Sequence, residues 1–389
     1  MTDVDIVVVG AGIQGAGVAQ AAAAAGYSVL LLEQTGIASG TSSRSSKLIH
    51  GGLRYLESGQ FRLVRECLRE RALLLRNAPS FVRLAPHYIP VYRETRRRPL
   101  LLRAGLSLYA VLGGLHPEVR FRQLPRSAWS DLDGLNQDGL QAVFRYFDAQ
   151  TDDAALTRAV VSSAQSLGAT LLMPATVSGV EMLSGTVRVQ YRSAQTDGEV
   201  RCQALVNAAG PWVNTVLDNV TPRVEALPME CVAGAHILLP RRLTQGVYYA
   251  ESPSDGRAIF IMPWHDDQTL VGTTERRYQG DPAQVEASMA EIDYLLATIR
   301  HYFPAYAALE PVASFAGLRV LPAAEGAAFT RSRDTRLYVT HAGRVLTIYG
   351  GKLTAYRAMA ERAVALLRQV LPARAAKADT KYLMLENIS

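Results

Sequence analysis

An α/β fold is predicted, with a discontinuous dinucleotide-binding domain and an inserted antiparallel-sheet domain. Three observations predict it. Residues 3–33 read as strand, glycine turn, helix, strand and acid. A second glycine turn, Gly350-Gly351, precedes another helical pattern near the far end. Between them, short runs of alternating apolar and polar residues mark antiparallel strands.

The first element is the apolar run ending at Val9, followed by Gly10-Ala11-Gly12-Ile13-Gln14-Gly15. Gly10 permits a tight turn, Gly12 lets backbone approach a pyrophosphate, and Gly15 lets helix and strand pack closely. The helix is expected over 16–26, and its N-terminus favours an anion. A second strand over 27–32 ends on Glu33, about 20 residues on, where an acid binds a ribose hydroxyl. A glutamate there argues against a 2′-phosphate. A small-residue stretch, 36–46, leads into Lys47-Leu48-Ile49-His50-Gly51-Gly52-Leu53-Arg54-Tyr55. A basic amphipathic helix follows over 61–76, and Pro79, Pro86 and Pro90 mark loops.

Residues 93–115 place Arg93, Arg96, Arg97, Arg98 and Arg103 beside a short leucine-rich helix. Two readings fit: a helix lying in the interface of an anionic membrane, or a core helix after a solvated basic loop. A helix is expected over 154–167 and a strand over 169–172. Segments 176–182, 186–191 and 199–202 read as a meander. Residues 205–212 return an apolar strand to the glycine loop Ala208-Ala209-Gly210-Pro211-Trp212. Antiparallel strands are expected at 235–239, 247–250, 258–262 and 269–273, and a helix over 283–303. Strands at 337–340 and 345–349 lead to Gly350-Gly351 and a helix over 352–370.

Bulk composition narrows the classes. The 389 residues suffice for about two domains, and 49% hydrophobic with 20% charged residues describes a folded chain. No apolar run reaches the about 18 residues of a spanning helix. The N-terminus enters the first strand directly, so no signal peptide is expected. Cys67, Cys202 and Cys231 are scattered, which reads as buried thiols in a reducing compartment, with no disulfide and no metal site. The net charge of +6 suits anionic substrates or lipid as well as an ordinary basic surface. No nucleic-acid-binding signature appears. The Gly350-Gly351 turn would place a helix N-terminus, about half a positive charge, where negative charge develops on a reduced flavin. With the covering loops at 40–46 and 208–212, this organisation favours FAD over NAD.

Thr41-Ser42-Ser43-Arg44-Ser45-Ser46 and the run 47–56 resemble the flavin-covering segment of FAD-dependent glycerol-3-phosphate dehydrogenases. So do Val206–Trp212, Gly234-Ala235-His236, Pro263-Trp264, Gly272-Thr273-Thr274, Gly317-Leu318-Arg319 and the run 350–357. The motifs keep the family's order from Asp5 to about Leu367. The resemblance implies a Rossmann-like FAD-binding domain of 1–78, 150–225 and 310–375. It implies a substrate domain of 79–149 and 226–309, and a tail at 376–389 in place of the family's usual helical C-terminal domain. Arg319 is followed by Val320-Leu321-Pro322, where the family commonly has proline at once.

The resemblance implies cofactor contacts from Gly10, Gly12, Gly15, Glu33, Thr41, Ser42, Ser46, Lys47, Leu48, His50, Ala209, Gly210, Trp212, Gly350, Gly351, Leu353 and Thr354. It assigns Arg54, Tyr55, Arg333 and Lys352 to a phosphorylated substrate. A dianionic phosphate needs several cationic donors, each contributing about 1.5–3 kcal/mol. His236 is the expected base for the alcohol proton. Arg319 is the expected electrostatic partner of the alkoxide, since a guanidinium is a poor base. His50 packs against the flavin. The implied reaction is oxidation of glycerol 3-phosphate to dihydroxyacetone phosphate, with electrons passing to a membrane quinone or to oxygen. A cytoplasmic location is implied, or one on the inner face of the membrane. The alternatives are a flavin oxidase of an amine or another hydroxy acid, and a non-catalytic FAD-binding membrane protein.

Overall fold

The computed structural model describes residues 2–194, 197–323 and 335–386. Two sheets, of nine and ten strands among these residues, organise the chain. In the first, Thr2–Val9 lies between Asp197–Asn207 and Val29–Leu32, parallel to both. Ile6, Val7 and Val8 are fully buried, as a strand covered on both faces requires. Ile6 and Val8 face the helices Ile13–Ala24, Asp153–Ser166 and Tyr356–Leu367. Val7 and Val9 face the antiparallel layer built from Ala175–Met182 and Val187–Ser193. The alanine-rich first helix is buried almost all round, so small side chains suit it.

Gly10 has φ +99°, and a Cβ there would stand 2.8 Å from the Ala208 carbonyl oxygen. A Cβ on Gly15 would overlap the Gly10 carbonyl. Both glycines are therefore demanded by the close seating of helix, turn and neighbouring strand. The helix begins at Ile13, before the expected residue 16, because Gly12 already serves as its N-cap.

The second sheet is mostly antiparallel. Its core is Met229–Leu239 paired with Gln268–Gly272 and Ala313–Pro322, then Ala258–Trp264 and Val247–Glu251. One pair is parallel: Val247–Glu251 meets Val82–Tyr92 at His87 and Tyr88. Val82–Tyr92 contains Pro86 and Pro90, which the sequence reading placed in loops. The strand's second flank is registered only at those two residues, an edge-like position where a missing N–H is tolerated. Met289–Tyr302 backs this sheet, started by a capping box between Ser288 and Glu291.

Four further segments differ from expectation. The third meander strand is continuous with the parallel one: Asp197–Asn207 pairs first with Val187–Ser193, then with Val345–Tyr349. Ala313–Pro322, expected with the FAD-binding part, hydrogen-bonds along Met229–Leu239 in the second sheet. Leu48–Ile49 also joins the second sheet, against Leu140–Thr151. The helix after Gly350-Gly351 begins only at Tyr356, because both glycines have positive φ and the chain turns before it. The predicted leucine-rich helix is Pro99–Leu112, with Leu102, Leu106, Tyr109 and Ala110 buried. Of the three free cysteines, Cys67 and Cys202 are buried and Cys231 is half-buried.

Candidate active site

The parallel strands Thr2–Val9, Val29–Leu32 and Asp197–Asn207 end at the Gly10 turn, Glu33 and Ala208. Ligands in such sheets bind outside the carboxyl ends of the strands. A cavity of about 420 Å³ opens there and continues between the two sheets. Its wall includes Gly10, Gly12, Glu33, Thr41, Ser42, Ser46, Leu48, His50, Ala209, Gly210 and Trp212. It also includes Arg54, Tyr55, His236, Arg319, Gly350, Gly351, Lys352, Leu353 and Thr354. Gly15 and Lys47 do not line it, and Arg333 lies outside the described residues.

The nucleotide end fits a dinucleotide. Glu33 is buried, and its Oε2 accepts from the Ala11 N–H at 2.7 Å. Its Oε1 takes the Thr35 N–H at 2.8 Å and the Gly36 N–H at 3.3 Å. The carboxylate is thus fixed beside the glycine turn, with acceptor capacity left on Oε2 for a ribose hydroxyl. Ser42 Oγ accepts from the Ile13 N–H at 2.9 Å, so the covering segment meets the helix N-terminus where an anion would bind. Gln14 on the same first turn donates to the Lys352 carbonyl at 3.3 Å. That bond ties the first glycine turn to the last.

The covering segment is held from beneath by Asp153, which the sequence reading passed over. Its Oδ2 accepts from the Ser45 N–H at 3.0 Å and the Ser45 hydroxyl at 2.6 Å. Its Oδ1 takes Lys47 Nζ at 2.6 Å and the Ala154 N–H at 2.8 Å. Lys47 was expected at the cofactor. It turns instead to Asp153 and to the Ser43 carbonyl at 2.5 Å, because a buried ammonium needs a counter-charge. The paired acids Asp152-Asp153 before an apolar run were the available signal. Asp152 caps the helix through the Ala155 N–H, leaving Asp153 for the segment above.

At the far end, Thr354 Oγ1 accepts from the His50 N–H at 3.2 Å. The His50 ring lies between Tyr55 and Phe260, at 6.5 and 6.3 Å. Lys352 Nζ stands 4.5 Å from the Tyr55 ring centroid. Behind this end, Arg71 and Asp148 form a buried pair, and Asp148 also accepts from Tyr109 and the Gly51 N–H.

His236 is 2% exposed. Its Nε2 is 3.0 Å from Ser46 Oγ, and its ring stacks on Phe315 at 4.9 Å. Burial pushes its pKa down to about 3, with the Arg319 guanidinium and Lys47 ammonium adding to the effect. Burial also takes His50 down to about 4. Arg319 donates from Nη1 to Glu275 at 2.9 Å and from Nη2 to Thr273 Oγ1 at 3.1 Å. The guanidinium is therefore oriented by a carboxylate and a hydroxyl, and Glu275 is a second residue that the sequence reading missed.

A glycine-turn nucleotide site that shares one cavity with a neutral histidine and several cations defines a dinucleotide-dependent redox enzyme. The family described as FAD dependent oxidoreductase matches residues 5–357. A D-erythritol 1-phosphate dehydrogenase of Brucella abortus is 38% identical over 380 residues, 95% of this chain and 74% of that protein. A glycerol-3-phosphate dehydrogenase of Pseudomonas aeruginosa is 38% identical over 372 residues, 94% and 71% of the two chains. The X-ray structure of the glycerol-3-phosphate dehydrogenase from Bacillus halodurans complexed with FAD gives a TM-score of 0.71 at 28% identity. That match covers 97% of this chain and 69% of the other. The chain belongs to the FAD dependent oxidoreductase family and, within it, to the FAD-dependent glycerol-3-phosphate dehydrogenases.

The two depressed histidines set a pH dependence. Each is neutral when folded and takes a proton in the unfolded chain below its ordinary value of 6.5. Stability present above pH 6.5 should therefore fall as pH drops toward 4, each histidine adding a slope approaching about 1.4 kcal/mol per pH unit. Denaturant midpoints measured from pH 7 to 4 check this. His236→Gln should reduce the slope by one histidine's share, and an unchanged slope would contradict the buried neutral ring.

Proposed function

We propose that this chain oxidises sn-glycerol 3-phosphate to dihydroxyacetone phosphate, with FAD as its cofactor. When bound, FAD would supply the acceptor for the hydride leaving carbon 2, which carries both electrons of the oxidation, while the hydroxyl proton goes to the protein. The observation that carries the reading is one cavity that holds a dinucleotide turn, a neutral histidine beside an oriented guanidinium, and the cations Arg54 and Lys352.

The chain's own residues divide the work. Gly10, Gly12 and Glu33 hold the nucleotide, and residues 41–56 cover it. Arg54 and Lys352 bind the phosphate, with Tyr55 packed against Lys352. His236 accepts the hydroxyl proton at a ring nitrogen. Its low proton affinity keeps it unprotonated at neutral pH, and the dianionic substrate raises that affinity once bound. Arg319 stabilises the negative oxygen that forms as the proton leaves. The two sheets represent an FAD-binding part and a substrate-binding part, with Ala313–Pro322 on the substrate side.

The similarity to a D-erythritol 1-phosphate dehydrogenase favours a second substrate of the same chemistry, a longer polyol phosphate with a secondary alcohol. Anaerobic stopped-flow mixing of the yellow protein with each phosphate, and with glycine and sarcosine, separates the readings. Glycerol 3-phosphate should bleach the visible absorbance fastest, and the amines should leave it unchanged. Bleaching only by the amines would contradict the proposal. His236→Ala should slow the reductive step by about 10²–10⁴-fold, and a near-normal rate would remove it as the base.

The electron acceptor is a membrane quinone or oxygen, and an anionic membrane surface is the docking partner. Support comes from Pro99–Leu112, whose outer face leaves Leu100 and Val111 81% and 59% exposed, near the exposed Arg93, Arg98 and Arg103. Arg97 takes no part, because it pairs with Glu57 and Glu251. Among the described residues no helix is long and apolar enough to cross a membrane. Flotation with anionic vesicles is expected. Replacing Arg93, Arg98 and Arg103 by glutamine should weaken it by about 3 kcal/mol in total. Equal flotation of the variant and the parent would contradict the assignment.

A further inference from the structure

Arg257 stands outside every motif that marked the site in the sequence, yet it lines the same cavity. It closes the turn between Val247–Glu251 and Ala258–Trp264. The Ser252 N–H donates to the Arg257 carbonyl at 2.7 Å, and the Gly256 N–H to the Ser252 carbonyl at 2.8 Å. Asp255 grips the side chain, with Oδ2 at 2.7 Å from Arg257 Nε. Asp255 Oδ1 is itself fixed by the Arg257 N–H at 3.0 Å and the Tyr294 hydroxyl at 2.8 Å. The guanidinium is therefore anchored at Nε. Among the described residues, neither Nη group donates a hydrogen bond. The same hairpin sends Phe260 and Tyr249 into the cavity wall, 5.3 Å apart, and Phe260 reaches the His50 ring.

An arginine that lines a cavity, is tethered at Nε and has a side chain 41% exposed keeps its Nη donors for a tetrahedral oxyanion. A neutral polyol would gain little from it. We propose that Arg257 is a further phosphate-binding residue, the substrate sheet's cation on the cavity that Arg54 and Lys352 also line. This rests on the polyol-phosphate reading above. Its consequence is that the phosphate is gripped from both halves of the molecule, so productive binding requires the two sheets to be seated together. The competing account is that Arg257 and Asp255 merely close a turn.

The test uses FAD-loaded protein carrying Arg257→Ala or Arg257→Lys. Inorganic phosphate binding is measured by titration calorimetry, and kcat and KM are measured with glycerol 3-phosphate. In Arg257→Ala the phosphate Kd and the KM should rise together by about tenfold or more. The kcat, FAD content and Tm should stay near the parent's, and Arg257→Lys should recover part of the loss. Unchanged phosphate affinity in Arg257→Ala, or no phosphate binding by the parent, would overturn the assignment. So would a change confined to Tm and FAD content, which is the signature of a turn-closing role. A parent that binds phosphate but is not reduced by glycerol 3-phosphate would sink the substrate reading, while the phosphate titration would still decide the role of Arg257.

Discussion

The Asp153 carboxylate is the constraint on which the site depends. It is fully buried and accepts from Ser45 twice, from Lys47 and from Ala154. A buried anion is tolerated only with such compensation, and its place in the first turn of a helix adds the favourable end of the helix dipole. The four donors convert residues 43–47 from a small-residue loop into a fixed cover. From that cover Ser42 reaches the first helix, Thr41 bonds the Leu318 carbonyl at 2.8 Å, and Ser46 reaches His236. One carboxylate thus sets the distance between the nucleotide turn and the groups that handle the substrate.

The electrostatics follow from that placement. Lys47 is neutralised below the cover by Asp153, while Arg319, oriented by Glu275, and Lys352 line the cavity itself. His236 is buried beside positive groups, so it stays neutral and able to accept a proton. Under the proposed function these cations favour an anionic substrate over an amine. Phe260, Tyr249 and Leu48 line the same cavity, and low-polarity walls strengthen the effect of charges beside them. Arg71, Asp148 and Tyr109 do the same structural work behind Gly51 that Asp153 does below Ser45.

Much of this was legible in the residues. The first βαβ unit was read from its glycines, its alanine helix and Glu33, because each of those types has a specific mechanical reason to be there. The cavity wall at 41–55, 208–212 and 350–354 was legible through the resemblance. Elements whose pairing is decided by distant partners were less so. Ala313–Pro322 reads as an apolar strand with nothing local to say which sheet it joins. Val82–Tyr92 carries two prolines that argue against a strand unless its flank is nearly unpaired. Lys47 looked like a cofactor ligand because its counter-charge lies 106 positions away. Asp153 and Arg257 were hidden for a related reason: an acid pair before a helix reads as a cap, and Ser-Asp-Gly-Arg reads as a turn. Both readings are correct locally and incomplete.

The most direct test of this account is the FAD content and thermal unfolding of Asp153→Asn. An amide of the same shape replaces two acceptor oxygens with one and leaves Lys47 buried without its counter-charge, a loss of about 3–5 kcal/mol. The account predicts a variant that purifies pale, releases FAD well below the parent's unfolding temperature and loses the coupling between cover and His236. Full FAD occupancy with an unchanged release temperature would contradict it.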